Sequence, residues 1–205
     1  MLIGISGYSG VGKDTVGKII WDLDHNWEIK KFAGKLKLIA SILTGIPVEM
    51  FEDQEFKKTN LSSDWDVKVI ENKWLPKGID NEDIYKPMTV RTFLQLLGTD
   101  AMRNCLHDNI WVNALFADYK PPKMSEYHPS KWVITDVRFP NEAKAIKDKG
   151  GVVIHVDRPG CKPINDHPSE TALDNWEFDF KIANVSDIQS LKLTVEEVLK
   201  QIKMK

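Results

Sequence analysis

The sequence predicts an α/β fold in which a parallel β-sheet is covered by helices on both faces. Two observations predict it: short, largely apolar runs occur along the chain, and helical patterns lie between and after them. Continuously apolar short runs are typical of central parallel strands, which are buried on both faces. At 205 residues, the chain fits one domain with a sizeable core.

Five runs are the predicted strands: Leu2 to Ile5, Glu28 to Ala33, Trp132 to Val137, Val152 to Val156 and Phe180 to Ala183. Six patterns are the predicted helices: Thr15 to Leu23, Lys35 to Leu43, Val90 to Leu97, Asp108 to Tyr119, Asn141 to Lys149 and Leu191 to Lys203. The last helix places its apolar residues on one face: Leu191, Val195, Val198, Leu199 and Ile202. Strands that alternate with helices imply a parallel sheet with helices on both sides.

Residues 47–87 differ from the rest of the chain. They are rich in Asp, Glu and Lys, and Pro76 and Gly78 interrupt them. We expect a single domain over 1–205, with 47–87 as an insertion that forms part of the substrate-binding side. Trp65 and Trp74 indicate that this insertion packs against other residues.

Composition excludes several classes of function. The net charge is −2 and the pI about 6.2, so the chain has no general attraction for nucleic-acid polymers or anionic membranes. No apolar stretch is long enough to cross a bilayer.

Because the first strand begins at residue 2, we expect no cleavable signal peptide and a cytoplasmic protein. Cys105 and Cys161 match no zinc or redox spacing and are expected to be reduced thiols.

A glycine-rich segment between the first strand and the first helix is the strongest functional signal. Its glycines let the backbone wrap an anion, so that N–H groups point at phosphates, and the following helix adds its positive end. Lys13 is expected to bridge the β- and γ-phosphates of a nucleoside triphosphate. The residues predicted to bind ATP here are Gly7, Gly10, Val11, Gly12, Lys13, Asp14 and Thr15.

The hydroxyl that holds magnesium comes one position later than usual in this loop. Asp14 directly follows the lysine, and Thr15 comes second, so we assign Thr15 to the metal. Asp14 is predicted to assist the metal or to orient an acceptor phosphate, and we count it with Lys13 among the catalytic residues. The alternative for Asp14 is a carboxylate that the helix N-terminus favours.

The third predicted strand ends in a second group of candidates. Asp136 stands near the tip of an apolar strand, as a magnesium-binding Walker B aspartate requires. Arg138 follows two residues later and is predicted to reach the transferring phosphoryl group as a catalytic residue. The structural alternatives are a turn aspartate and a surface arginine. Pro140 suits the first turn of the next helix.

Residues after the second predicted strand, and residues on and after the predicted helix Val90 to Leu97, predict an acceptor site. Lys37 lies one turn into a helix that follows the second strand, where a second anion would bind, although a solvated lysine is the alternative. Arg91 and Gln95 share one helical face, and Arg103 follows Gly98, which is expected to end or bend that helix. Guanidinium and amide groups suit a phosphate and a base edge.

Two further segments carry weaker signals. Arg158 follows the fourth strand, where it is predicted to stack on the adenine of ATP. The polar cluster His167-Pro168-Ser169-Glu170 favours a helix cap, with Ser169 as the cap residue, over a catalytic histidine.

Together these segments resemble the deoxynucleoside monophosphate kinases of tailed bacteriophages, within the P-loop kinase superfamily. The resemblance rests on Gly-Lys-Asp-Thr at 12–15, Phe-Ala-x-x-Leu-Lys at 32–37, Phe-Glu-Asp-Gln-Glu-Phe-Lys at 51–57, Leu-Gln-x-x-Gly-Thr-Asp-x-x-Arg at 94–103, Asp-Val-Arg-Phe-x-Asn-Glu at 136–142 and His-x-Ser-Glu at 167–170. The offset of Thr15 is also similar to the Gly-Lys-Gly-Thr arrangement of nucleoside monophosphate kinases.

The resemblance implies a three-layer P-loop kinase sandwich with a five-stranded parallel sheet in the order 2-3-1-4-5. It implies transfer of the γ-phosphoryl group of ATP, with Mg²⁺, to a deoxynucleoside 5′-monophosphate. The residues implied on the acceptor side are Phe32, Lys37, Arg91, Gln95, Arg103 and Arg138. Small nucleotides are then the partners, in a host cytoplasm, and homodimers occur among such kinases.

Two alternatives stay open at this point. One is a P-loop kinase for another phosphorylated acceptor, such as dephospho-coenzyme A or phosphomevalonate. The other is a nucleotide-dependent switch or motor subunit, which the missing Asn-Lys-x-Asp guanine motif argues against.

Overall fold

A computed structural model describes residues 1–70, 73–76, 85–120 and 130–204. The chain divides into two compact units, which are described separately. Unit 1 comprises Met1–Gly34 and Asn109–Lys205, and unit 2 comprises Lys35–Asp108. Part of the predicted insertion, residues 71, 72 and 77–84, lies outside the described residues.

The strands, numbered along the chain, are β1 (Leu2–Ser6), β2 (Glu28–Lys30), β3 (Val67–Ile70), β4 (Lys73–Pro76), β5 (Tyr85–Lys86), β6 (Trp132–Val137), β7 (Val152–Asp157) and β8 (Phe180–Ala183). The α-helices are α1 (Lys13–Leu23), α2 (Ala33–Thr44), α3 (Val90–Gln95), α4 (Ile110–Phe116), α5 (Pro140–Asp148), α6 (Pro168–Thr171) and α7 (Ile188–Met204). A π-helix (Leu96–Leu106) continues α3, and three 3₁₀ turns cover Val48–Glu52, Phe56–Lys58 and Ser63–Trp65.

Unit 1 contains a five-stranded sheet in the order β2-β6-β1-β7-β8, with every pair parallel. Counted along this sheet, the order is 2-3-1-4-5, which confirms the expected topology. β1 lies in the centre, and all five of its residues are buried. Because the carboxyl ends of parallel strands meet at one edge, the segments that follow β1, β6 and β7 are brought together there.

The prediction for the end of the second strand is wrong. β2 ends at Lys30, and Ala33 already begins α2. The Asp136 carboxylate accepts the backbone N–H of Phe32 at 2.7 Å and that of Ala33 at 2.9 Å. A helix N-terminus has N–H groups without helical partners, so this long-range contact favours the start of a helix over the continuation of a strand.

Helices cover both faces of the sheet, as predicted. On one face, Ile3 and Ile5 of β1 pack in a cluster with residues of α1 and α7. On the other face, Gly4 lies so close to Ile146 of α5 that a Cβ on Gly4 would come within 2.6 Å of its Cδ1 atom. The predicted apolar face of α7 is buried in full: Leu191, Val195, Val198, Leu199 and Ile202.

Unit 2 has its own small core around Phe51, which is fully buried together with Val90 of α3. Its three strands form an antiparallel sheet in the order β4-β3-β5. Trp65 meets Phe93 edge to face with ring centroids 5.0 Å apart, so this part of the predicted insertion packs, whereas the side chain of Trp74 lies outside those described. Gly98 does not end the helix, since helical structure continues past it to Leu106 as the π-helix.

Two findings concern the chain as described. None of the described helices is long and apolar enough to cross a membrane. Cys105 and Cys161 are both free thiols there.

Candidate active site

The loop from Gly7 to Gly12 joins β1 to α1 and adopts a conformation that requires glycine. Gly7 has a φ of +141°, and a Cβ there would lie 2.2 Å from the carbonyl oxygen of Val156. Gly12 forms the N-cap of α1 with a φ of +104°. Because L side chains rarely adopt such backbone angles, only glycine permits the tight path of this loop without strain.

Lys13 begins α1, and its ammonium folds back over the loop. It donates hydrogen bonds to the carbonyl oxygens of Gly7 and Tyr8, each at 2.7 Å. Burial and, second to it, the positive charge of Arg138 together lower the pKa of Lys13 from 10.5 to about 8. Two cations that repel each other in a partly desolvated site are each stabilised by an anion placed between them.

Two contacts that sequence reasoning missed hold this loop. Asn184, just after β8, donates from Nδ2 to the carbonyl oxygen of Val11 at 2.8 Å. The Tyr8 hydroxyl donates to Asp174 at 2.9 Å. The only available signal for Asn184 was its place after a predicted strand, at the edge of the sheet where the loop lies.

Asp14 and Thr15 occupy the first turn of α1. Asp14 accepts a hydrogen bond from the Thr135 hydroxyl at 2.8 Å and forms an ion pair with Lys31 at 3.2 Å. Desolvation raises the pKa of the Asp14 carboxyl, but Thr135 and Lys31 outweigh it and lower that pKa overall. Thr15 is exposed. The metal and acceptor roles of both residues stay predictions.

Asp136 lies in β6, which pairs directly with β1, so it stands beside the phosphate loop as expected. Each of its oxygens accepts one backbone N–H at the start of α2. Phe32, predicted to contact the acceptor, is only 3% exposed, and its ring meets Phe116 edge to face. An acceptor role for Phe32 therefore stays a prediction, on a side chain that already belongs to the core.

Arg138 follows β6 directly and is held by a buried acid. Its Nη1 atom donates to Glu170 Oε1 at 2.6 Å and to the carbonyl oxygen of Ser169 at 3.0 Å. A small pocket beside these groups is lined by residues of the loop and of three later segments: Ser6, Gly7, Tyr8, Val137, Arg138, His155, Ser169, Glu170, Leu173 and Asp174. The catalytic role of Arg138 stays a prediction.

The cap of helix α6 differs in one residue from the prediction. The cap is His167, whose Nδ1 accepts the backbone N–H of Ser169 at 3.2 Å, whereas Ser169 itself lies inside the helix. Pro168 occupies the first helical position, so the cap lies two residues before the predicted Ser169. Arg158 is exposed directly after β7, and its contact with adenine stays a prediction.

The remaining candidates lie in unit 2. Lys37 is not a solvated lysine: it is only 7% exposed, and its ammonium pairs with Glu52 at 2.6 Å. Arg91 donates to the side-chain oxygen of Gln54 at 3.1 Å and shares α3 with Gln95, one turn away, as predicted. Arg103 lies on the π-helix, is 5% exposed, and donates to the carbonyl oxygen of Asp108 at 3.0 Å.

A parallel sheet in the order 2-3-1-4-5, with a glycine-rich loop and a lysine after its first strand, is the fold of the P-loop kinases. The sequence profile of deoxynucleotide monophosphate kinases matches residues 41–195. The chain therefore belongs to the deoxynucleotide monophosphate kinase family.

Individual relatives agree with this assignment. A protein of Acanthamoeba polyphaga mimivirus, which carries the provisional name of deoxynucleotide monophosphate kinase, is 32% identical over 211 residues, covering 98% of this chain and 94% of that protein. The deoxynucleoside-5′-monophosphate kinase of Escherichia phage T5 is 26% identical over 95% of this chain and 94% of its own length. The deoxynucleotide monophosphate kinase of Enterobacteria phage T4 is 32% identical over 55% of this chain and 46% of its own length.

Proposed function

We propose that this protein transfers the γ-phosphoryl group of ATP to a deoxynucleoside 5′-monophosphate, giving ADP and the deoxynucleoside diphosphate. The observation that carries the proposal is the pair of cations Lys13 and Arg138 at the phosphate loop, where the charge of Arg138 lowers the pKa of Lys13. Membership of the deoxynucleotide monophosphate kinase family supports the identity of the acceptor.

The reaction needs positioning and charge neutralisation more than proton transfer. An oxygen of the acceptor phosphate forms the new bond to the γ-phosphorus, while the bond to the bridging oxygen of ADP breaks. Because the acceptor phosphate is already ionised near neutral pH, no strong base is required. In this proposal Lys13 and the loop hold the β- and γ-phosphates, and Arg138 neutralises charge on the group in transfer.

The acceptor is bound in this proposal by residues of unit 2. Lys37 and Arg91 supply positive charge for its phosphate, Arg103 adds a guanidinium, and Gln95 supplies an amide for a base edge. Arg158 stacks on the adenine of ATP.

Magnesium suits the oxygen groups of this site. Thr15 is exposed and offers a hydroxyl, and each carboxylate oxygen of Asp136 accepts one backbone N–H, which leaves it acceptor capacity. Among the described residues, no three His, Cys, Asp or Glu side chains cluster as a metal site of their own. Thr15 and Asp136 would therefore hold Mg²⁺ jointly with nucleotide phosphates, and the bound ion would neutralise phosphate charge.

The working environment follows from the same proposal. The partners are small nucleotides and not nucleic-acid polymers, and the protein acts in the cytoplasm of a host cell. A homodimer is testable by light scattering of the purified protein.

An acceptor panel tests the function. ADP release is measured with ATP and each deoxynucleoside monophosphate, each ribonucleoside monophosphate, dephospho-coenzyme A and phosphomevalonate. We expect ADP release that depends on a deoxynucleoside monophosphate. Release with only one of the last two acceptors, or hydrolysis of ATP that no acceptor changes, would contradict the proposal.

A further inference from the structure

Glu170 is a buried carboxylate to which the proposed reaction assigns no role. It lies on α6, and only 2% of its side chain is exposed. One of its oxygens, Oε1, accepts Nη1 of Arg138 at 2.6 Å. An ionised carboxylate is costly to bury unless a cation and hydrogen bonds compensate it, so the burial of Glu170 depends on Arg138.

Arg138 is held at two points by two different acids. Its backbone N–H donates to Glu142 of α5 at 2.8 Å, and its Nη1 atom donates to Glu170 and to the carbonyl oxygen of Ser169. A guanidinium carries five N–H donors in a rigid plane, and fixing Nη1 orients the whole plane. About a third of the Arg138 side chain is exposed, at 34%, so the group retains donors for a phosphate.

Glu170 also lines the small pocket beside the loop. Oε2 is buried and has no hydrogen-bond partner within the described residues. The enclosed part of this pocket has a volume of about 20 Å³, which accommodates roughly one water molecule. Because the Glu170 side chain is almost fully buried and its Oε1 atom accepts Nη1 of Arg138, Glu170 acts through Arg138 and not by direct contact with a nucleotide.

The segment that carries Glu170 is itself fixed to the phosphate loop. His167 caps α6 through the Ser169 N–H, and three residues beyond the helix Asp174 accepts the hydroxyl of Tyr8. The His-x-Ser-Glu motif therefore builds a rigid support on which a carboxylate reaches Arg138.

We propose that Glu170 is a positioning residue that holds the Arg138 guanidinium in the orientation required for phosphoryl transfer. This inference rests on the proposed function, because Arg138 binds a phosphoryl group in transfer only if the protein is a phosphotransferase. Charge neutralisation by a misaligned guanidinium is weaker, so the loss of Glu170 is expected to affect the chemical step more than nucleotide binding.

The first test is a double-mutant cycle with Glu170→Gln and Arg138→Met. We expect Glu170→Gln to lower kcat about tenfold with little change in KM for either nucleotide, since a shift of about 1 Å in a reacting group has large effects on rate. In the Arg138→Met background, Glu170→Gln is expected to cause no further loss of kcat, because the two residues act as one unit.

The matched control is Asp179→Asn. Asp179 lies in the same connection between β7 and β8, where its carboxylate pairs with Lys147 of α5 and accepts the backbone N–H of Val153. We expect this variant to lose thermal stability and to keep kcat. If Glu170→Gln does not fold, Glu170→Asp, which keeps the charge but shortens the side chain, replaces it. We expect Glu170→Asp to lower kcat on its own and to cause no further loss in the Arg138→Met background.

The second test is chemical rescue. Guanidinium chloride at non-denaturing concentration is added to Arg138→Ala and to the double variant Arg138→Ala/Glu170→Gln. We expect turnover to rise several-fold in the first and not in the second, because the Glu170 carboxylate is needed to bind the added cation.

Failure of this inference is distinguishable from failure of the proposed function. The role of Glu170 alone is overturned if the wild-type enzyme is active and the fold losses of kcat from the two substitutions multiply in the double variant. Equal rescue by guanidinium in both backgrounds would overturn it as well. A wild-type enzyme without transfer to any deoxynucleoside monophosphate overturns the proposed function first.

Discussion

Lys13 and Lys37 are two lysines near the start of a helix that were both predicted to bind phosphate, and their partners differ. The ammonium of Lys13 donates to two backbone carbonyl oxygens, whereas that of Lys37 pairs with the carboxylate of Glu52. Carbonyl oxygens satisfy hydrogen-bond donors without a net charge. Within the described residues, the positive charge of Lys13 therefore has no carboxylate in direct ion-pair contact, whereas Lys37 has Glu52.

This difference separates two kinds of anion site. At Lys13, burial disfavours the protonated ammonium, as its pKa of about 8 indicates. A bound phosphate stabilises the protonated form by its negative charge. At Lys37, an arriving phosphate must compete with Glu52. We therefore expect Lys13 to control turnover and Lys37 to adjust the affinity for the acceptor.

The largest expected effect comes from Lys13→Met. Loss of the ammonium should lower kcat on the order of 10²-fold or more, as removal of a donor to the transition state does. ADP release under saturating nucleotides measures it. Lys18→Met, which removes an exposed lysine from the same helix, is the control and should retain its activity. Near-normal turnover of Lys13→Met would refute the assignment of the loop.

Lys37→Met should have a smaller and different effect. A hydrogen bond to a charged group contributes roughly 1.5–3 kcal/mol, so KM for the monophosphate should rise about tenfold while KM for ATP changes little. Steady-state kinetics with each nucleotide varied in turn measure both constants. Lys35→Met, an exposed lysine on the same helix, should leave both unchanged. If Lys37→Met lowers only thermal stability, Lys37 is a core ion pair and not a phosphate ligand.

Glu52→Gln tests the competition directly. The amide keeps an acceptor for Lys37 but removes the charge that opposes a phosphate, so KM for the monophosphate should fall by about threefold, in the range of a half-exposed ion pair. Glu49→Gln changes an exposed acid of the same 3₁₀ turn and serves as the control. A rise in KM would instead assign Glu52 to the positioning of Lys37.

The smallest effect is a pH-dependent proton uptake at Lys13. With a pKa of about 8 in the free protein, Lys13 is about half protonated at pH 8. Bound phosphates raise that pKa toward 10.5, so ATP binding should take up roughly half a proton at pH 8 and almost none at pH 6. Calorimetry in buffers of different ionisation enthalpy measures it, and Lys13→Met should remove this component. Proton release at pH 8 would contradict the assignment.

Local patterns were sufficient to predict much of the fold and the phosphate loop. Mostly apolar runs such as β1 and β6 predicted buried parallel strands, and the spacing along α7 predicted its buried face. The loop could be predicted because glycine backbone freedom, a helix N-terminus and a lysine all occur within seven residues. The strand order came from the family resemblance, since apolar runs alone do not show which strands are adjacent in the sheet.

What the sequence by itself determined is the chemistry available: a loop that wraps the phosphates of a nucleotide, and cationic side chains that suit a second phosphate group. What only the tertiary structure decided is the partner of each charge. Glu52 neutralises Lys37, Glu170 orients Arg138, and Asp136 ends β2 by binding the first N–H groups of α2. These partners are 15, 32 and about 100 residues distant along the chain. The physical reason is that charge pairing depends on distance in space, which local periodicity does not encode and chain folding alone establishes.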